Sequence, residues 1–388
     1  MLSRIAELSP DLRAVRRDIH RHPELAFKEE RTAALVAGLL RAWGIEVHEG
    51  IGRTGVVGVI TAGTSERAIG LRADMDALPI PETSGVPHSS VHSGIAHSCG
   101  HDGHTAMLLC AARYLAETRR FNGRVHLFFQ PAEEGRGGAH AMIADGLFTR
   151  FPCTEVYALH NWPSLPAGTI ATRPGPIMAA ADRFEITVRG AGGHAAQPHL
   201  ACDVILCAAQ IITGAHTLVP RRVDAAANAV LSITRVEGGS AHNVMPSEVR
   251  LTGTVRTFDA GVQDTLEAAL RSWVEHVAKA GGCSADFDYV RYYPATINDA
   301  DCAQHALETA RAVFGDAQLA GAPAATSEDF AYMLREVPGA YIWLGSGVGD
   351  DPPPLHDPAF DFNDDVLPVG AALLVSLAER RLGSTGCR

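Results

Sequence analysis

Apolar residues recur at helical spacing near the start of the chain: Leu12, Val15 and Ile19, then Leu35, Leu39 and Leu40, with Gly44 as a stop. The spacing predicts helix over residues 11–43, and Pro23 divides it into two helices with a joint. GVVGVI (55–60) and AIGLRADMD (68–76) then read as strands. HTAMLLCAARYLAET (104–118) returns to helical period, with Met107, Leu108, Ala111 and Leu115 as its apolar stripe. RVHLFFQ (124–130) is a buried strand, AHAMIADGLF (139–148) a helix and EVYALH (155–160) a strand. Strands alternating with helices predict an α/β fold, a mostly parallel sheet with helices on both faces.

Past residue 182 the pattern changes. RFEITVRG (183–190), AVLSITRVEGG (229–239) and EVRLTGTVRTF (248–258) alternate polar and apolar positions, as half-buried strands do. FDYVRYYPAT (287–296) supplies a fourth strand, and two helices, 202–219 and 262–280, lie among them. The pattern predicts an inserted α+β sandwich at 183–293, with 1–182 and 294–388 forming one larger domain around it. ALETARAVFG (306–315), DFAYMLREV (329–337) and the strand AYIWLGSG (340–347) return the chain to that domain.

Composition narrows the class. The 388 residues carry 33 Lys and Arg against 44 Asp and Glu, a net charge of −11. Nucleic acid is therefore not expected as a partner, because phosphate binding draws on clustered positive charge. The N-terminus lacks an apolar core and cleavage site, and no run of eighteen apolar residues is apparent, so neither a secretory signal nor a membrane span is expected. Eight cysteines (99, 110, 153, 202, 207, 283, 302 and 387) are scattered without a compact framework, which fits reduced thiols and a cytoplasmic protein.

The chemistry lies where strands end. Asp74 and Asp76, Glu133 and Glu134, and His160 each stand just past a predicted strand, at the edge where parallel sheets bind ligands. So many carboxylates and imidazoles at one edge call for a positive partner, and a metal pair is the simple answer. Cys99 and His101, two residues apart, both ligate borderline-soft ions such as Zn, Mn, Co or Ni, and Gly100 and Gly103 let the loop turn tightly. His88, His92 and His97 read as exposed loop histidines. Of the adjacent Glu133 and Glu134, one is placed to bind metal and the other to take a proton from water. A Thr326 or Ser327 N-cap with acids in the first helical turn accounts for TSEDF.

RADMDALP, HSCGHDGHTA, QPAEEG, ALHNWP, GAGGHAAQPH, HNVMPSEV, GTVRTF, TSEDFAYML and PLHDPAFDFND, in this order, resemble the M20 metallopeptidase family. They match its amidohydrolase branch, which includes hippurate hydrolases, N-acyl-L-amino-acid amidohydrolases and indole-acetyl-amino-acid hydrolases. The resemblance covers essentially the whole chain and implies a zinc-exopeptidase-like fold. It implies that Cys99 bridges two divalent metal ions, with His101 and His160 completing one site and Glu134 and His356 the other. Glu133 is then the general base, and Asp76 orients His101. His194 corresponds to the family's oxyanion histidine, reaching a neighbouring subunit's active site in a homodimer. Asn243 and Arg256 correspond to residues that hold the substrate's free carboxylate. Arg256 also reads as a solvated position of an alternating strand. His356 is chosen by the resemblance alone.

The implied activity is metal-dependent hydrolysis of small-molecule N-acyl amino acids, with the small domain closing over the large one. N-acetyl-diaminopimelate deacetylase shares these motifs, whereas peptidases of the wider family are expected to carry Asp or Glu where this chain has Cys99 and His160. From other classes, a cysteine hydrolase using Cys99 is expected to be sensitive to thiol alkylation and indifferent to chelators. A non-catalytic metal-binding relative has no need of both Glu133 and Glu134.

Overall fold

The computed structural model describes residues 1–383, so that Cys387 lies outside the described residues. The chain divides into two compact units. One comprises Met1–Ile177, Ile297–Ala322 and Asp329–Arg388; the other comprises Met178–Thr296 and Pro323–Glu328. The strand that opens the second unit starts at Ala180, ahead of the expected 183, and pairs Ala180 with Thr257 and Ala181 with Arg256. Two consecutive alanines give no alternation for a sequence reading to catch.

The first unit is built on an eight-stranded sheet. Its order is Glu46–Ile51, Gly55–Ala62, Gly123–Gln130, Ala68–Asp74, Glu155–Pro166, Gly339–Gly347, Ile170–Thr172 and Gln318–Leu319. Gly123–Gln130, Ala68–Asp74, Glu155–Pro166 and Gly339–Gly347 run parallel to one another, and antiparallel pairings flank them. Ala68–Asp74 is buried at every position, as a central parallel strand covered by helices must be. The helices Leu2–Arg21, His101–Thr118 and Leu367–Arg381 contribute Ile5, Leu8, Leu108, Leu115 and Leu374 to one core with Ile69, Leu71 and Leu127 of the sheet.

Several elements differ from expectation for local reasons. The first helix starts at Leu2 and carries Pro10 inside it. Just before Pro10, the Ser9 hydroxyl donates to the Ile5 carbonyl at 2.7 Å. The helix expected over 139–148 is two pieces, Gly138–Ala144 and Leu147–Arg150, separated by Gly146 at φ 84°. Leu367–Arg381 was not predicted at all; ten of its fifteen residues are buried, so no polar face marks its period.

The second unit carries a four-stranded antiparallel sheet in the order Ala229–Gly238, Glu248–Thr257, Ala180–Arg189, Ser284–Tyr293. Helices Val204–Arg222 and Ala260–Ala280 pack Ile211, Ala215, Leu266 and Leu270 against Phe184, Ile186 and Leu251. Asp203 and Asp259 cap these helices by accepting from the Leu206 and Val262 amides. By length and composition alone Val204–Arg222 is long and apolar enough to cross a membrane; here Val204, Ile211, Ala215 and Leu218 lie in the unit's own core.

Candidate metal centre

All five ligand candidates belong to the first unit. Cys99 lies on the loop before helix His101–Thr118, and Glu133 and Glu134 follow the end of strand Gly123–Gln130. His160 is inside its strand, not past its end as expected, because pairing with Gly339–Gly347 carries that strand on to Pro166. On the other side, pairing with Ala68–Asp74 stops at Ala158, which frees the edge on which His160 stands. Gly100 makes the Cys99–His101 turn at φ 87°, and a Cβ there would fall 2.3 Å from Asn161 Oδ1. Gly103 does not turn the chain; it lies in the helix, where a Cβ would strike the Phe362 ring.

The donors converge. Cys99 Sγ lies 3.5 Å from His160 Nε2. Glu134 Oε1 lies 3.1 Å from His356 Nε2 and 3.9 Å from His101 Nε2. Cys99, Glu134 and His356 each offer a ligand atom within 4.8 Å of the others, and so do His101, Glu133 and Glu134. His356 reaches the cluster because its backbone N–H donates to the Ser98 carbonyl at 2.8 Å, in a left-handed conformation with φ 67°. No periodicity in the sequence could have shown that bond.

The residues fit a divalent cation. Two buried atoms of the cluster, His101 Nε2 and Glu134 Oε1, have no hydrogen-bond partner among the described residues. Burial and the carboxylates of Glu134, Glu133 and Asp74 push the Cys99 thiol well above its usual range. Such a thiol is a poor free nucleophile, which counts against a cysteine hydrolase, but a metal reverses the balance. Burial lowers the His101 imidazole, yet Asp74, Asp76 and Glu134 outweigh it and hold the ring near 10. Burial keeps His160 well below its usual range, and so a neutral ligand.

Asp76 links both sides of the cluster. Its Oδ1 lies 3.3 Å from His101 Nδ1 and accepts the Glu133 amide at 3.0 Å, and its Oδ2 accepts the Glu134 amide at 2.9 Å. Asp74 is occupied differently: Arg72 donates to Oδ2 at 2.8 Å, and His104 Nδ1 to Oδ1 at 2.6 Å. The other ring nitrogen of His104 faces Asn161, 2.6 Å from its side-chain Oδ1 and 3.0 Å from its backbone nitrogen. Asp74 and His104 are thus supports, although they border the cluster.

The sequence reading missed further supports. Asp329, not Thr326 or Ser327, is the N-cap of helix Phe330–Glu336, and its side chain makes no cap bond. Its carboxylate accepts from the Ala139 amide, Gln130 and the buried Arg72, while its own N–H lies 3.3 Å from Glu133 Oε1 and donates to it. His88 and His97 are buried, against expectation; His92 is exposed. His88, His20 and Asp361 form another cluster of metal-ligand type. There the Arg16 guanidinium already supplies the cation, 2.7 Å from Asp361 Oδ1 and 2.9 Å from His88 Nε2.

His194, Asn243 and Arg256 all lie in the second unit. Short strands Gly193–His194 and Val244–Met245 pair His194 with Val244, beside Asn243, and both His194 and Asn243 are exposed. Arg256 is half-buried and forms no ion pair among the described residues; its guanidinium bonds to Thr254 Oγ1 and the Val255 carbonyl.

Comparison with known proteins gives the chain its family. The profile of peptidase family M20/M25/M40 matches residues 70–380. Hippurate hydrolase of Campylobacter jejuni is 38% identical over 98% of this chain and 99% of its own. N-acetyl-L-cysteine deacetylase of Bacillus subtilis is 37% identical over 98% and 90%. The crystal structure of the Bacillus subtilis YXEP protein, a dinuclear metal-binding peptidase of the M20 family, superposes with a TM-score of 0.86 at 34% identity, covering 97% of this chain and 99% of that one. The chain belongs to the M20 family, in its metal-dependent amidohydrolase branch, and is a hydrolase.

Proposed function

We propose that the protein hydrolyses the amide bond of N-acyl amino acids, releasing a carboxylic acid and a free amino acid. The observation that carries this is the adjacent pair Glu133–Glu134: one carboxylate faces His356 and His101, and its neighbour is held separately by the Asp329 amide. Both named relatives act, by their names, on N-acyl amino acids, which supports the substrate class. Cys99, His101, Glu134, His160 and His356 would hold two divalent ions, and their sulfur, nitrogen and oxygen donors suit Zn, Mn, Co or Ni. When bound, the ions lower the pKa of water and polarise the acyl carbonyl.

Glu133 takes the proton of the attacking water and returns it to the leaving nitrogen. Asp76 fixes the ring of His101 and the backbone of both glutamates. Arg256 and Asn243 hold the substrate carboxylate, supported by an Arg256 guanidinium that bonds to Thr254 Oγ1 and the Val255 carbonyl and forms no ion pair among the described residues. The His194 N–H stabilises the developing oxyanion. Leu200, Ile205, Leu206, Val230 and Val236 are exposed on the second unit, which supports self-association as a homodimer.

Glu133→Ala should retain its metals and lose nearly all turnover of a panel of N-acyl amino acids; full activity in that variant rules out the assigned base. N-acetyl-diaminopimelate, amino-acid esters and dipeptides belong in the panel. Cleavage of dipeptides alone would replace the amidohydrolase reading by a peptidase one.

A further inference from the structure

We infer that Glu29, which lies outside every motif used so far, is a positioning residue for the turn that carries Glu133 and Glu134. The inference rests on the reading of Glu133 as the base. Glu29 precedes helix Glu30–Ala42 and is fully buried, yet its side chain does not cap that helix. Instead Oε1 accepts the Ala132 and Phe27 amides, each at 2.9 Å, and Oε2 accepts the Thr54 hydroxyl. A buried carboxylate that leaves its own helix end to bind the backbone of a distant turn is there to fix that turn.

The turn needs fixing. Ala132 stands immediately before Glu133 in the left-handed region, at φ 54° and ψ 43°. A residue with a Cβ persists there only when its surroundings over-determine it. Here both sides of the residue are held: its N–H by Glu29 and its carbonyl by the Gly138 amide at 3.0 Å. The next two amides, of Glu133 and Glu134, end on Asp76. Three successive N–H groups are therefore gathered by two buried carboxylates. Without the Glu29 bond, Ala132 loses the hold on its N–H, and any drift of its φ toward the ordinary range carries Glu133 and Glu134 together away from the end of strand Gly123–Gln130.

Burial pushes the Glu29 carboxyl up to about 7. Either protonation state serves, because Oε1 keeps both amide bonds while a protonated Oε2 donates to Thr54. What the role demands is reach, not charge. Glu29→Gln keeps the reach and loses the charge, whereas Glu29→Asp keeps the charge and withdraws the oxygen by one methylene.

The two variants should be compared with wild type and with Glu133→Ala for kcat, KM, metal content and thermal unfolding. Amide hydrogen exchange at Ala132 should be followed in the metal-free protein. Glu29→Gln should resemble wild type. Glu29→Asp should lose about ten- to hundred-fold in kcat with little change in KM, the range seen when a supporting hydrogen bond of a metal site is removed. Its Ala132 amide should exchange about ten-fold faster or more, as local opening becomes easier. Wild-type exchange and turnover in Glu29→Asp overturn the inference, and so does equal impairment of the Gln and Asp variants. An active Glu133→Ala overturns the base instead, and leaves Ala132 exchange to judge Glu29.

Discussion

At the scale of single residues, the centre is organised by how carboxylates are spent. Asp74 satisfies Arg72 and His104, whereas Asp76 serves His101 and two backbone amides, and Glu134 keeps a buried oxygen without a hydrogen-bond partner among the described residues. Asp76→Asn places an amide N–H₂ against groups that already donate. It should weaken metal retention about ten- to hundred-fold in a chelator competition, with the fold intact by circular dichroism. His356→Ala removes a donor 3.1 Å from Glu134 but leaves Cys99, His101 and His160 in place. Elemental analysis should then find one ion per chain lost and one kept, and loss of both or neither counts against the two-site assignment. Cys99, His101, Glu133 and Glu134 were legible because each sits just past a strand end or in a glycine-marked loop, and His160 because the apolar run of its strand breaks off there, although the strand itself goes on to Pro166. His356 was not, since a single backbone bond to Ser98 brings it in.

At the scale of elements, short turns at strand and helix ends aim the site. The Cys99–His101 turn admits only a residue without a Cβ, on two counts: its φ of 87° and the 2.3 Å approach to Asn161. Gly100→Ala should destabilise the protein by on the order of 1–3 kcal/mol in denaturant titration and reduce bound metal with it, since left-handed backbone and a clash with the Asn161 side chain both raise the cost. An unchanged midpoint would show that the turn has another conformation open to it. The sequence marked this glycine correctly and misread Gly103, because a loop glycine and a packing glycine look alike until Phe362 is seen against one of them. It also placed the helix after TSEDF on Thr326 or Ser327, where the structure makes Asp329 the N-cap and turns its side chain to Arg72 and Gln130. Local capping rules carry no information about partners more than a hundred residues away.

At the scale of the whole molecule, the alternation of strands and helices that predicted a mostly parallel sheet was readable because its central strands are largely apolar. The long-range polar network was not. His20 shows what that network does to stability. Burial lowers its imidazole, but Asp102 and Glu82 outweigh burial and raise it from 6.5 to about 9. A raised pKa means stabilisation fully present below about 6.5 and lost as pH climbs through about 9, worth on the order of 3 kcal/mol. Wild-type unfolding midpoints should therefore fall between those values, and His20→Gln should flatten much of that fall; parallel curves would remove His20 as the cause. The Arg16 side chain lies in the same network, bonded to Asp102, Asp361 and Asp364. Because that cation is covalently part of the chain, dialysis against a chelator cannot strip it. The first helix should remain docked when the catalytic ions are gone, so that a sample emptied of metal is an intact host awaiting reloading, and activity restored by added ions measures binding to a preformed frame.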